Sequence, residues 1–256
     1  MAEYDRQTLN ARAGSAAAID EGLRSYMLRV YNYMGIGLVV TGLVAYFANA
    51  AALTTNADNA VGTLANGTMV TQWGALLYTS PLAWVVMLAP LAFVMVLSFG
   101  INKMSVGTAQ LVFWAFAAVM GLSLSSIFLV YTGASISKVF FITAATFGAM
   151  SLYGYTTKRD LTSIGNFLMM GLIGLIIASV VNIFLQSDFM SWVISAVGVL
   201  IFVGLTAYDT QKIKESYNEA HGMDVMAKNA IMGALSLYLD FINLFMMLLR
   251  LFGNRN

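Results

Sequence analysis

The sequence predicts an all-α polytopic membrane protein, a bundle of seven transmembrane helices, and three observations lead to this prediction. The composition is 59% hydrophobic and only 10% charged, whereas charged residues make up about 25% of an ordinary soluble domain. The mean hydropathy is +0.78. Seven apolar stretches reach the roughly 20 residues that a helix needs to cross a bilayer. In a chain of 256 residues, these spans leave little room for a second domain.

The chain divides into a polar start, a single transmembrane domain and a short tail. Residues 1–26 are polar and mixed in charge, without the basic-then-apolar order of a signal peptide, so the first span should stay in the protein. The transmembrane domain covers 27–252, and 253–256 form the C-terminal tail. The predicted spans are 27–52, 81–99, 106–130, 136–155, 164–184, 189–210 and 229–250.

The distribution of Lys and Arg predicts a cytoplasmic N-terminus. The loops 53–80, 131–135 and 186–188 contain neither residue. Arg250 and Arg255 then fall outside, so the last helix either crosses fully, which we favour, or re-enters and returns. The basic residues on the predicted cytoplasmic side are Arg6, Arg12, Arg24, Arg29, Lys103, Lys158, Arg159, Lys212, Lys214 and Lys228.

The second span contains both prolines of the chain. Pro90 lies in the middle of this span, where it removes the backbone donor to the carbonyl of Val86 and should kink the helix. The kink is either a static feature or the hinge that makes this helix the movable element of the bundle.

The seventh span is unusual because it carries Asp240 near its middle, where an ionised carboxylate costs at least about 2.5 kcal/mol. Ser236, Asp240 and Asn243 are spaced i, i+4 and i+7, so a helix places them on one face. Intramembrane carboxylates mark functional sites by default. The alternative is a buried, hydrogen-bonded aspartate with a structural role.

The sixth span ends in GLTAYDTQKIKE and contains a second acid, Asp209, with Thr206 and Thr210 beside it on the same helix. Asp209 and Asp240 could share a proton, because neighbouring carboxylates cannot easily both ionise. They could bind a cation such as Ca²⁺, which prefers oxygen ligands, or each could bond backbone groups separately.

Depth along the membrane leaves this choice open. Asp209 is three residues from Lys212, or roughly 4–5 Å inside the boundary, whereas Asp240 lies twelve residues beyond Lys228, or roughly 18 Å inside. The two meet if the sixth helix runs past Lys212, with its lysines reaching back to the interface, or if the seventh begins late.

Several classes of protein are disfavoured. The net charge of +1, without a basic patch, does not suggest a partner nucleic acid. We predict no enzyme and no cofactor other than Ca²⁺ as a transported ion, because the chain has no Cys and no histidine in any predicted span. An intramembrane aspartyl protease would need Gly-x-Gly-Asp, but Asp209 follows Ala207-Tyr208 and Asp240 follows Tyr238-Leu239.

The segments GLTAYDTQKIK and ALSLYLDFINLF resemble the two signature stretches of the Bax inhibitor-1 family, and LRVYNYMGIGLVVTGLVAYF is similar to its first span. The resemblance covers the chain from about Leu23. It implies that six helices surround the last one, and that an aspartate pair matching Asp209 and Asp240 governs a pH-sensitive Ca²⁺ leak.

In some relatives an arginine cluster after the second span holds one aspartate in place, as a latch. Here that stretch reads FGINKMS, and Lys103 offers at most a weak latch because it lacks arginine's bidentate fork.

Two functions are therefore expected. The first is a pH-sensitive Ca²⁺ leak channel, or a slow proton-coupled Ca²⁺ exchanger, with the lipid bilayer, Ca²⁺ and H⁺ as partners. The alternative is a regulatory, cytoprotective membrane protein that binds another membrane protein, such as a protease, without significant transport. The short chain without eukaryotic sorting signals indicates a bacterial inner membrane.

Overall fold

The computed structural model describes residues 2–64, 67–218, 220 and 222–255, with the side chains of 2–20 left out. The part of the chain so described is almost entirely helical. Its α-helices are α1 (Ala2–Ala52), α2 (Gln72–Tyr78), α3 (Leu82–Gly100), α4 (Val106–Leu124), α5 (Ile127–Val130), α6 (Gly133–Thr156), α7 (Thr162–Leu185), α8 (Asp188–Glu215) and α9 (Met223–Phe252). The connection from α1 to α2 holds a 3₁₀ turn (Ala57–Asn59) and an antiparallel pair, β1 (Gly62–Thr63) with β2 (Met69–Val70).

Seven stretches are long and apolar enough to cross a membrane, which confirms the predicted fold class. They are Glu21–Ala52 within α1, α3, the segment Val106–Val130 that joins α4 to α5, α6, α7, α8 and α9. Local capping sets where several of them begin. The side chains of Ser105, Thr132 and Ser187 each accept a hydrogen bond from a backbone N–H in the first turn of the helix that follows.

Most helix boundaries lie within three residues of the predicted ones, and three differ by more. α1 begins at Ala2, so residues assigned to a separate polar segment continue the first helix. α9 begins at Met223 rather than 229. α8 continues to Glu215 instead of ending at 210, because its last turns are packed: Gln211 and Ile213 are buried, and Lys214 Nζ donates to the carbonyl of Tyr155, 2.8 Å away.

α9 lies at the centre of the bundle, as the resemblance implied. In its most apolar window 61% of the residues are buried, against 6% to 39% in the other six spans. α9 packs along α8, α1, α6 and α4. The surrounding helices form two triplets, α1 with α3 and α4, and α6 with α7 and α8. In each triplet the third helix contacts both others, while the first and second are not close neighbours.

The last helix does not turn back. α9 is unbroken over 30 residues, or about 45 Å, and its far end meets the start of α6. There Thr132 N donates to Asn254 O (3.1 Å), Asn254 N donates to Ser135 Oγ (2.9 Å), and Tyr131 pairs with Arg255 as an antiparallel bridge. The predicted tail is thus fixed to the start of α6 through its backbone.

Pro90 lies inside α3 and is buried, and the helix continues beyond it to Gly100. The proline side chain therefore packs within the bundle instead of ending the helix. Its predicted role as a hinge stays a prediction.

Candidate functional site

Asp240 is buried on the face of α9 that meets α8. Only 6% of the residue is exposed, and its Oδ2 atom has no hydrogen-bond partner among the described residues. A buried polar atom without a partner loses its solvation without compensation, and in native structures such an atom calls for an explanation, such as a catalytic role or an unseen ion or water. This orphaned oxygen marks Asp240 as the centre of the candidate site.

Asp209 on α8 brings a second carboxyl group within hydrogen-bonding range of Asp240. The mismatch in depth that the sequence left open disappears because α8 runs past Lys212 to Glu215. Asp209 therefore lies inside a packed helix and not at its end. Its half-buried side chain faces the central helix, so the structure brings the two predicted site aspartates together.

Lys212, and not Lys103, is the cation beside the pair. Lys212 follows Asp209 by three residues, on the same face of α8, and acts electrostatically on its carboxyl. Its Nζ lies 5.8 Å from the centroid of the Tyr208 ring, a distance at which a cation is attracted to an aromatic face. Lys103 is exposed after α3, and within the described residues it bonds neither aspartate. The i, i+3 spacing in the sequence could have identified Lys212.

Two cavities meet at Asp209, and Asp240 lines the larger of them. The larger, of about 430 Å³, lies between α7, α8 and α9 and is lined by Asp209, Asp240, Ser236 and Asn243 together with apolar side chains. The second, of about 370 Å³, lies toward the end of α8 and is lined by polar groups that include Asp209, Ser236 and Lys212. Asp209 and Ser236 border both cavities and separate one from the other.

A third cavity continues this row toward the opposite side of the bundle. It has a volume of about 640 Å³, shares Ser179 and Ile183 with the cavity of the aspartates, and is lined by Asp188, Arg250 and Arg255. α7 forms one wall of the row, packing on α8 while hardly approaching α9. The polar groups that line these three cavities thus follow one side of the central helix.

The predicted supporting residues fall into two groups. Ser236 and Asn243 line the cavity beside Asp240, with Asn243 Nδ2 donating to Leu239 O at 2.8 Å. Thr206 and Thr210 do not line that cavity, which corrects the expectation that they support the pair. Both are fully buried, and their hydroxyls donate to carbonyls one turn earlier on α8, 2.7 Å away in each case.

The arrangement can hold a proton more readily than a metal ion. Within the described part of the chain no group of three or more His, Cys, Asp or Glu side chains could bind a metal. Ca²⁺ takes six to eight oxygen ligands, so two carboxylates with Ser236 and Asn243 would give an incomplete shell.

Two structural contacts near the site were missed from the sequence. Gln211, two residues after Asp209, is buried and binds the loop between α6 and α7. Its Oε1 accepts a hydrogen bond from Leu161 N and its Nε2 donates one to Arg159 O, each at 2.8 Å. Tyr238, two residues before Asp240, hydrogen-bonds Thr41 on α1 at 2.6 Å. These contacts hold both aspartate-bearing helices in position.

Comparison with known proteins relates nearly the whole chain to one family. The family model described as "Inhibitor of apoptosis-promoting Bax1" matches residues 23–256. The chain is 48% identical over 236 residues to an uncharacterised protein of Rickettsia prowazekii, covering 92% of each chain. It is 47% identical over 247 residues to the inner membrane protein YbhL of Escherichia coli, covering 95% of this chain and 97% of the relative. Identity to a protein of Caulobacter vibrioides is 46% over 237 residues, covering 92% and 91%.

Proposed function

The chain belongs to the Bax inhibitor-1 family of integral membrane proteins, and on that premise we propose that it is a pH-sensitive Ca²⁺ leak channel of the bacterial inner membrane. A proton shared by Asp209 and Asp240 gates the channel. The observation that supports this proposal best is the unpartnered Oδ2 of Asp240, buried against a second carboxyl group where two cavities meet.

The closed state contains a single proton between the two carboxyl groups. One aspartate then donates a hydrogen bond to the other, and this bond links α8 to α9 across the boundary between the cavities. Sharing a proton is the general way in which adjacent carboxyl groups avoid two like charges. In this state the shared hydrogen bond keeps the cavities separate.

Loss of the proton drives opening. Two unit charges 4 Å apart repel by about 4 kcal/mol at an effective dielectric constant of 20, which changes an equilibrium constant roughly a thousandfold. The repulsion separates α8 from α9 or moves α7, the cavity wall with few contacts to α9. Asp209, Asp240 and nearby polar oxygens then give Ca²⁺ a passage of the ligand type that it prefers.

The charges along the row of cavities favour a slow leak over a fast pore. Arg250 and Arg255 line the cavity on the far side, and fixed positive charge lowers the local concentration of a cation. Asp188 in the same cavity offsets only one of the two. A coupled exchange of Ca²⁺ for protons at the aspartates fits the same geometry and would give similarly slow transport.

The test is Ca²⁺ flux into proteoliposomes loaded with a Ca²⁺ dye between about pH 6 and pH 8, where buried carboxyl groups in proteins can titrate. The native protein is compared with Asp209→Asn and Asp240→Asn. Asp224→Asn is the matched control, because Asp224 is an exposed acid at the start of the same helix as Asp240. We expect flux to rise with pH in the native protein and the control, and the two site variants to lose that dependence.

Two results would overturn the proposal. Native flux equal to that of empty liposomes at every pH would leave the alternative, a regulatory protein that acts by binding another membrane protein. A pH dependence that persists unchanged in both site variants would show that the sensor lies elsewhere.

A further inference from the structure

A groove between α1 and α6 lies on a different side of α8 from the aspartate pair. It has a volume of about 500 Å³, and its lining is almost entirely apolar. Met27, Phe147 and Ser151 are buried and form the floor, while Leu28 and Leu152 are more than half exposed and form the walls. α1 and α6 are not close-packed neighbours, so the groove opens sideways, toward the lipid phase.

Positive charge is concentrated at the end of this groove where α1 enters the membrane. Arg24 lines the groove there, is exposed, and pairs with no acid among the described residues. On the other edge Lys214 is held against Tyr155, with its Nζ 5.3 Å from the ring centroid and 2.8 Å from the carbonyl. Lys214 does not itself line the groove, but its contact with Tyr155 places it at the same end as Arg24. Neither cation forms an ion pair within the described part of the chain.

The groove extends from this end into one leaflet. From Arg24 to Tyr31 along α1 the rise is about 10 Å, and from Tyr155 back to Phe147 along α6 it is about 12 Å. One leaflet of the hydrocarbon core is about 15 Å thick. The groove thus has cations at the depth of lipid headgroups and apolar walls over most of the depth of an acyl chain.

The floor of the groove contains polar hydroxyls that are already satisfied. Thr210 Oγ1 donates to Thr206 O, so Ser151 Oγ donates to Thr210 Oγ1 at 3.0 Å and the hydroxyl of Tyr31 donates to Ser151 at 2.5 Å. This chain links α1, α6 and α8 beneath the groove. It connects α1 to the closely packed pair α6 and α8, although α1 and α6 are not close neighbours.

We propose that the groove between α1 and α6 is a binding site for an anionic phospholipid of the leaflet on the N-terminal side, which is predicted to be cytoplasmic. One acyl chain lies between Leu28 and Leu152, and the phosphate headgroup contacts Arg24 and Lys214. Basic pockets between transmembrane helices are suited to anionic lipid headgroups. The site is independent of the aspartate pair and does not require Ca²⁺ transport.

Gly148 provides a direct way to fill the groove. It lines the groove, and a Cβ atom added there would meet no atom within 4 Å, so Gly148→Phe should occupy the groove without disturbing the helices. Gly174→Phe is the control. Gly174 on α7 is also exposed, and a Cβ atom added there would also meet no atom within 4 Å, but the residue lies outside the groove. Arg24→Gln removes a headgroup contact and leaves the apolar walls intact.

The experiment counts lipids bound to the detergent-solubilised full chain by native mass spectrometry during titration with phosphatidylglycerol or with phosphatidylcholine. We expect the native protein and Gly174→Phe to bind one phosphatidylglycerol in preference to phosphatidylcholine. Gly148→Phe should lose this binding. Arg24→Gln should bind phosphatidylglycerol about fivefold more weakly, the effect of one basic residue near a lipid headgroup.

Three outcomes would overturn the proposal: equal binding of the two lipids by the native protein, native-like binding by Gly148→Phe, or unchanged preference in Arg24→Gln. The readout is lipid binding, so failure here leaves the proposed leak untouched. Failure of the flux experiment likewise leaves the lipid site untouched.

Discussion

The two helix triplets around α9 have the same pattern of neighbours, but only one of them brings a carboxyl group to α9. The triplet α1, α3 and α4 meets α9 through aromatic packing: the ring of Tyr238 lies 5.1 Å from that of Phe116 and 6.4 Å from that of Phe113, centroid to centroid. The triplet α6, α7 and α8 also packs aromatic rings on α9 through α6. However, its α8 brings Asp209 to Asp240, and cavities lie beside it.

This difference shows how a central helix can serve two purposes. On one side α9 is fixed by fully buried rings and by Tyr238, whose hydroxyl donates to Thr41 Oγ1 because Thr41 itself donates to Ala117 O (2.8 Å). On the other side its Asp240 carboxyl group lines a cavity of about 430 Å³ between α7, α8 and α9. The aromatic side thus fixes α9 to α1 and α4, while the side toward α8 carries the candidate site.

The largest expected effect comes from disrupting the contact between α9 and the triplet α1, α3 and α4. Tyr238→Ala removes a ring that is 0% exposed, and loss of a buried aromatic typically costs 3–5 kcal/mol, a range we expect here for the free energy of unfolding. Tyr238→Phe keeps the ring and loses one hydrogen bond, so it should cost only about 1 kcal/mol. Denaturant titration in detergent micelles measures both. Equal losses in the two variants would mean that the hydroxyl, and not the ring, fixes α9.

A smaller effect tests whether both triplets depend on close helix contact. A Cβ atom at Gly121 on α4 would lie 2.6 Å from the carbonyl oxygen of Thr41, and one at Gly154 on α6 would lie 2.2 Å from that of Ala207. Because backbone atoms cannot move aside cheaply, Gly121→Ala and Gly154→Ala should each lower the unfolding free energy by roughly 1–3 kcal/mol. Gly148→Ala, on the same helix as Gly154 but facing open space, should be neutral or stabilising by up to about 1 kcal/mol. If all three variants melted alike, close contact at glycine would not distinguish these positions.

A change on the polar side should act on stability in the opposite direction. Asp240→Leu replaces a buried carboxyl group, whose Oδ2 atom has no hydrogen-bond partner among the described residues, with an apolar side chain. The gain from removing that atom offsets the loss of the hydrogen bond proposed with Asp209, so the unfolding free energy should be unchanged or rise by about 1 kcal/mol. The same variant should abolish the pH dependence of Ca²⁺ flux. A large loss of stability would instead identify Asp240 as a structural residue, the alternative that its sequence context left open.

The sequence predicted the helical class, the seven spans and the two aspartates, because composition, length and an acid in an apolar run are local signals. It did not predict that the aspartates meet, since that depends on α8 continuing to Glu215 through the burial of Gln211 and Ile213. Thr206 and Thr210 seemed to support the pair because they lie near Asp209 in sequence, yet both hydroxyls donate to carbonyls of α8 itself, and Thr210 also contacts Ser151 on α6. Lys103 seemed a latch by analogy with relatives, and Lys212 takes the position beside the pair. Which side chains meet across helices depends on long-range packing, and this packing could not be read from a single sequence.

The smallest expected effect compares an exposed acid at the start of α7 with the buried aspartate pair. Asp160, before α7, is fully exposed, and the hydrogen bonds that it accepts from the hydroxyl and backbone N–H of Thr162 hold the pKa of its carboxyl below the ordinary value. A lowered pKa in the folded state means that these bonds stabilise the start of α7 above about pH 4, and that the contribution is lost as the pH falls through the lowered pKa. The amide signal of Thr162, followed by NMR during acid titration, should therefore shift with a midpoint below about pH 3.9, and Asp160→Asn should remove that transition.

The variant Asp160→Asn should keep the native flux profile between about pH 6 and pH 8, because a solvated carboxylate is already ionised throughout that range. If Asp160→Asn altered the flux profile as Asp240→Asn is expected to do, the pH sensor would not be confined to the buried pair, and the contrast between exposed and buried acids would not account for gating.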